Sequence, residues 1–252
     1  MPAVWIDLEP RSGWQNMAID HALLELAETQ DLECWRLYRW NPFCLSFGRH
    51  EPALRRYDRT RIAALGLDTV RRPTGGRAVW HARELTYAVA APLATYGSGP
   101  LAYQTIHAHL ARALASSGAE PGLAPRRTTP GLGSGACFAV PVGGEIVIGG
   151  KKVVGSAQRK GENAFLQHGS ILLEDDQSLV RSLELAGSPT EDPPEAPLTA
   201  LLGRPVAFEE IANAIVAGLD SPMDPAVKLS DILSRAERHY DTYRSDAWTW
   251  LR

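Results

Sequence analysis

The chain predicts an α+β (mixed α/β) fold, and three observations carry that expectation. Runs that alternate apolar and polar residues, as strands do, interleave with runs of helical period. The strand-like runs read as mostly antiparallel, with helices packed on them. The 252 residues are 44% apolar and can bury a substantial core.

Each element has a local reason. "AVWIDLE" reads as a short strand. "NMAIDHALLELAE" places Met17, Ala18, Leu23, Leu24 and Leu26 on one helical face. "LECWRLYRW" alternates, and "FCLSFGRH" follows Asn41-Pro42 as a second compact strand, so the two predict a hairpin. "PALRRYDRTRIAALG" predicts one helix ended by Gly66. "LDTVRR", "RAVWHA" and "ELTYAVAAPL" are strands, and "LAYQTIHAHLARALASSG" is a helix stopped at Gly118. Pro and Gly crowd Glu120 to Gly144, which predicts a long functional loop. Strands resume with "EIVIGGKKVVGSAQR" and "AFLQHGSILLE". From about Gln177 the chain is helical, with a Pro-rich connection inside. The whole, 1–252, is expected to form a single domain.

Composition excludes several classes. A net charge of −3 gives no reason for nonspecific nucleic-acid binding. The N-terminus lacks the basic start and apolar run of a signal peptide, and no stretch is long and apolar enough to cross a bilayer. Cys34, Cys44 and Cys137 are odd in number and far apart, which fits neither a disulfide framework nor Cys-x-x-Cys zinc ligation. The expectation is a reduced, cytoplasmic protein that needs no membrane.

One stretch asks for a function. "TVRRPTGGRAVWHARELTYAVAAP" sets two glycines and Arg71, Arg72 and Arg77 between two apolar runs. A tight turn needs only the glycines. The additional guanidinium groups suggest an anionic or carbonyl partner. Cys34 and Cys44 sit in apolar strands and read as small buried hydrophobes. Cys137, among small residues in "GLGSGACFAVPVGG", is a candidate nucleophile if a cation lies close, and otherwise an inert loop thiol. Lys151 and Lys152 point to opposite sides of a strand, so one of them can supply that cation. A phosphate-loop reading fails, because Glu145 stands six before Lys151 and no Ser or Thr follows the lysines. His107 and His109 face different ways on a helix and have no carboxylate at ligand spacing, so no metal is expected. His81 and His168 are each structural or functional on this reading.

Three motifs together, "RRPTGGRAVWHARELTYAV", "SGACFAVP" and "GGKKVVGSAQR…LQHGSILLE", resemble the lipoate and biotin protein ligase superfamily. Within it they are similar to the octanoyl-[carrier protein]:protein N-octanoyltransferases of the lipoate-ligase-like type. The resemblance runs from "NMAIDHALL" to "HYDTYRSDAWTW" and so spans nearly the whole chain. It implies a twisted mixed sheet wrapped by helices around one acyl pocket, and catalysis by Cys137 with Lys152. It implies substrate contacts by Arg72, Thr74, Gly75, Gly76, Arg77, His81, Gly155, Ser156 and His168. The implied donor is octanoyl-acyl carrier protein. The implied acceptors are lipoyl domains, those of the glycine cleavage H protein and the acyltransferase subunits of 2-oxoacid dehydrogenases. No cofactor is implied, and the enzyme is expected to act as a monomer. ATP-dependent lipoate ligases look similar but generally lack the cysteine. An octanoyl amidotransferase between lipoyl proteins is the other relative in chemistry. The family usually has Asp after the histidine of the first motif, where this chain has Ala82.

Overall fold

The computed structural model describes residues 2–124, 145–185, 195–219 and 229–251. Strand β1 (Ala3–Ile6) leads to helix α1 (Gly13–Gln30), then β2 (Cys34–Tyr38) and β3 (Cys44–Phe47). Two short helices, α2 (Ala53–Arg56) and α3 (Arg59–Ala64), precede β4 (Asp68–Arg71), β5 (Val79–His81) and β6 (Glu84–Pro92). Next come α4 (Leu93–Tyr96), α5 (Gly99–Ser116) and β7 (Pro121–Leu123). Beyond residue 144 lie β8 (Ile146–Ile148), β9 (Lys151–Lys152), β10 (Val154–Lys160) and β11 (Ala164–Leu172). The remainder is helical: α6 (Ser178–Ser182), α7 (Leu198–Leu202), α8 (Phe208–Ala217), α9 (Leu229–Glu237), α10 (Tyr240–Arg244) and α11 (Asp246–Thr249).

A five-stranded sheet in the order β1-β2-β6-β11-β10 forms the centre. Only the β1–β2 pairing is parallel in it. Its three inner strands, β2, β6 and β11, are buried on both faces, and side-chain alternation divides them cleanly. Leu85, Tyr87, Val89, Phe165 and Ile171 face α5 and α8, whereas Ala88, Ala90, Ala164 and Leu166 face α1 and α9. Two smaller sheets flank it, in the orders β4-β3-β5 and β7-β8-β9.

Three expectations about elements change. β2 and β3 are not a hairpin, because β2 pairs with β1 and β6 while β3 pairs with β4 and β5. A strand in a mixed sheet and a hairpin arm alternate alike, so the pattern could not tell them apart. The helix expected through Arg59 breaks at Tyr57, and Asp58 caps the second piece by accepting from Arg61 N at 3.0 Å. The expected loop from Glu120 begins with strand β7, which pairs with β8. Residues 125–144 of it, including Cys137, lie outside the described residues. Among the described residues, no helix is long and apolar enough to cross a membrane.

Candidate active site

The chain from β4 to β5 crosses the end of β3, because β4 and β5 lie on either side of that strand. This crossing, not a hairpin turn, is what "RRPTGGR" forms. The crossing is tight. A Cβ on Gly48, just after β3, would lie 1.9 Å from Gly76 O, so glycine alone lets the two backbones meet. Gly76 itself has φ +87°, the left-handed region. Arg49 N donates to Thr74 O at 2.8 Å.

The arginines divide. Arg71 donates its guanidinium protons to main-chain carbonyls of Gly48, Glu51 and Thr249. It ties the C-terminal segment to the crossing and is structural. Arg72 donates to Ser46 Oγ at 2.6 Å, to Gly75 O at 3.1 Å and to Arg77 O at 2.7 Å. Arg72 also lines a cavity.

That cavity, of about 320 Å³ with the open solvent at its mouth included, lies between the crossing and the α1 face of the central sheet. Met17 of α1, Tyr38 and Trp40, Val79 and His81, and Thr86 line it together with Arg72. Gly155, Ser156 and Ala157 of β10 and His168, Gly169 and Ser170 of β11 complete the walls. Many of these side chains are polar, yet their polar atoms are engaged with one another or with carboxylates behind the wall. Tyr38 donates to Asp20 at 2.8 Å, Trp40 Nε1 donates to Thr86 Oγ1 at 2.7 Å, and Ser170 donates to Glu84 at 2.9 Å. What they turn to the cavity is carbon. The Trp40 ring also stacks on His81 with centroids 4.0 Å apart.

Close backbone packing matters again at the sheet. A Cβ on Gly169 would lie 2.4 Å from Gly155 O and 2.5 Å from Ser156 Oγ. Glycine there allows Ser156 to bond Tyr87 OH at 2.6 Å and His107 Nε2 at 2.8 Å, beneath the cavity floor.

Both wall histidines are buried and have both ring nitrogens bonded. His168 Nδ1 lies 3.0 Å from Asp20 Oδ2 and its Nε2 2.5 Å from Thr74 Oγ1. Burial pushes the His168 pKa below its usual value, and the bond to Asp20 opposes that only in part. His81 Nδ1 lies 2.7 Å from Glu84 Oε1 and its Nε2 2.6 Å from Ser46 Oγ. Ala82 therefore does not leave His81 without a carboxylate, because Glu84 reaches it from the start of β6.

Of the expected site residues, Arg72, His81, Gly155, Ser156 and His168 line the cavity. Thr74 backs onto it through His168, and Gly75, Gly76 and Arg77 form the crossing. Lys152 is fully buried and pairs with Glu145 at 2.7 Å, while Lys151 is exposed, as strand alternation requires. Lys152 does not line the cavity, although it lies three residues before Gly155. Asp20, Ser46, Gly48, Glu84 and Glu145 are partners that sequence reasoning missed. The signals for two were present: Asp20 is a carboxylate in an apolar helical run, and Glu84 stands three after His81. His21, Glu25 and His239 also converge, but Arg159 donates to His21 Nε2 at 3.3 Å and Glu25 pairs with His239 at 3.0 Å. A cation at that ring nitrogen opposes a metal ion.

The sequence profile of the lipoyl protein ligase A/B catalytic domain matches residues 12–220. The chain is 34% identical over 263 residues to octanoyltransferase LipM of Symbiobacterium thermophilum, covering 96% of each chain. It is 34% identical over 259 residues to octanoyltransferase LipM of Kyrpidia tusciae, covering 94% of each. Among solved structures, a lipoate-protein ligase A bound with ATP superposes with a TM-score of 0.82 at 21% identity, over 99% of this chain and 98% of that one. A lipoate protein ligase from T. acidophilum with bound lipoic acid gives 0.79 at 20% identity, over 99% of each. These two establish the fold, the lipoate-ligase arrangement of mixed sheet and helices. The chain belongs to the LipM family of octanoyltransferases, built on the lipoyl protein ligase A/B catalytic domain.

Proposed function

We propose that this octanoyltransferase takes its acyl group from octanoyl-acyl carrier protein and passes it through a thioester on Cys137 to a lysine of a lipoyl domain. The Cys137 thiolate attacks the thioester carbonyl and expels the phosphopantetheine thiolate, leaving octanoyl-Cys137. The acceptor amine then attacks that carbonyl, Cys137 leaves as thiolate, and the proton lost by the amine returns to it. The donor is already activated, so neither nucleotide nor metal enters the balance. Lys152, held as an ion pair by Glu145, is the cation that stabilises the thiolate and the developing oxyanion. Main-chain amides of Gly75–Gly76 and Gly155–Ser156 are further oxyanion donors.

The observation that carries the acyl site is the carbon-walled cavity beneath the arginine–glycine crossing. Each methylene buried there stabilises binding by about 0.8 kcal/mol, which favours a medium chain over a short one. The acceptors on this reading are lipoyl domains of the H protein and of 2-oxoacid dehydrogenase complexes, reached by a monomer in the cytoplasm whose 1–252 act as one domain. The test is to incubate the enzyme with octanoyl-carrier protein, with EDTA and without ATP, and to weigh the intact protein. A gain of one octanoyl group on Cys137, discharged by a lipoyl domain, is the expected result. Transfer only from free octanoate with ATP and magnesium overturns the reading in favour of a ligase. Transfer only from an octanoylated lipoyl protein makes it an amidotransferase.

A further inference from the structure

Two hydrogen-bonded chains reach the arginine–glycine crossing from the cavity wall. Each begins at a buried carboxylate and passes through a histidine. The first runs from Asp20 through His168 to Thr74. The second runs from Glu84 through His81 to Ser46, which also accepts from Arg72 Nη1. Neither Asp20 nor Glu84 lines the cavity.

The direction of each chain follows from the inventory of donors. An ionised carboxylate only accepts, so a ring that carries one proton must place it on Nδ1 and leave Nε2 as an acceptor. Thr74 and Ser46 then donate their hydroxyl protons to Nε2. Asp20 is fixed in this role by Arg36, fully buried, whose Nη1 donates to Asp20 Oδ1 at 3.0 Å. Glu84 Oε1 takes Thr86 Oγ1 and Ser170 Oγ as further donors. With both nitrogens engaged, neither imidazole is disposed to shuttle a proton. Each is a rigid bridge between a carboxylate and the crossing.

We propose that Asp20 and Glu84 are positioning residues for octanoyl transfer: by fixing the Nδ1–H form of His168 and His81, they lock Thr74 and the Ser46–Arg72 pair, and with them the crossing over the acyl cavity. The inference rests on that cavity being the acyl site. Carboxylates that orient metal-bound histidines act through the same logic, setting the proton on one nitrogen by bonding the other.

The first test is direct. In protein labelled with ¹⁵N-histidine, nitrogen shifts distinguish protonated from bare ring nitrogens, and Nδ1 is expected to carry the proton at both His81 and His168. Asp20→Asn keeps its amide oxygen on Arg36 and turns its NH₂ to His168, so the proton at that ring is expected to move to Nε2. A wild-type spectrum with Nε2–H at either ring overturns the proposal. The second test is kinetic. A glutamine at 168 can offer NH to Asp20 and an amide oxygen to Thr74, whereas leucine can offer neither. His168→Gln is expected to stay within about tenfold of wild-type kcat/KM, the loss concentrated in KM for the octanoyl donor, while His168→Leu falls by about a hundredfold or more. Equal loss in the two variants overturns the proposal, since a proton-transfer role is what glutamine cannot replace. Wild-type labelling and His168→Gln need no folded Asp20 variant. If wild type fails to acylate Cys137, the thioester route falls, and the ring spectra still decide the positioning.

Discussion

Lys152 and Glu145 form an ion pair inside the protein, Nζ to Oε1 2.7 Å, with 0% and 3% of their side chains exposed. Alternation alone says only that Lys151 and Lys152 face opposite ways; the pair adds that removing Lys152 takes a charged partner from a buried carboxylate, which is strongly destabilising. Lys152→Ala should lower unfolding free energy by about 3–5 kcal/mol, and Lys151→Ala by no more than about 0.5 kcal/mol. Urea denaturation of both variants is the measurement, and equal midpoints would refute the burial argument. Activity comparisons at Lys152 must therefore be made at matched folded fraction.

Burial pushes the Cys34 thiol up to about 12, and it pushes Cys44 well above its usual value beside Asp68. Both should resist iodoacetamide near neutral pH until the protein unfolds. Cys34→Ser and Cys44→Ser should retain transfer, whereas Cys137→Ser should abolish it. Peptide mass mapping of native and denatured samples reads the labelling. Modification of Cys34 or Cys44 in the native state would contradict their inert assignment.

The glycines of the crossing should rank by what a methyl group meets. Gly48→Ala drives Cβ into Gly76 O and should cost at least about 3 kcal/mol or displace the crossing. Gly76→Ala, at φ +87°, should cost about 1–2 kcal/mol. Gly75→Ala meets nothing within 4 Å. It should leave stability within about 0.5 kcal/mol. Thermal and urea unfolding of the three variants would test the order, and a Gly75 variant less stable than the Gly48 one would reverse the argument.

Acid should weaken the fold through its histidines. Burial lowers the pKa of His21, to about 3, and those of His109, His168 and His239. As pH falls below the unfolded value near 6.5, the unfolded chain takes protons that the native protein refuses, so stability present above that pH is lost on acidification. For His21 the loss continues down to about pH 3. His21→Gln removes one such group. Its stability should fall less steeply from pH 6.5 to pH 4, by a slope of up to about one proton. Parallel slopes for wild type and variant would exclude a neutral native His21.

Much of this was legible in the residues. The motif order carried the family, alternation set Lys151 and Lys152 on opposite sides while the resemblance singled out Lys152, and apolar neighbours marked Cys34 and Cys44 as core. Long-range pairing was not legible. Nothing local in "FCLSFGRH" says that β3 leaves β2 for another sheet, or that Gly48 must be bare because Gly76 arrives against it. Ala82 shows a related limit: spacing along a motif identifies an absent carboxylate, but only the turn into β6 brings Glu84 to the same ring. Asp20, Glu84 and Glu145 escaped notice as partners because a buried charge is meaningful only beside the group it pairs with.

The bond from His81 to Glu84 has a mechanical consequence. His81 ends β5 in the small sheet and Glu84 begins β6 in the central one, so Ala82 and Arg83 are the corner where one sheet becomes the other. The corner is braced by Arg83 N to Asp175 Oδ2 at 3.0 Å and by Glu174 N to Arg83 O at 3.1 Å. Val79, His81 and Thr86, which line one part of the cavity, thus sit on one continuous, braced length of chain. A brace of this kind resists movement of the corner, so room on that side of the cavity is gained most directly by trimming the side chains of Val79, His81 and Thr86.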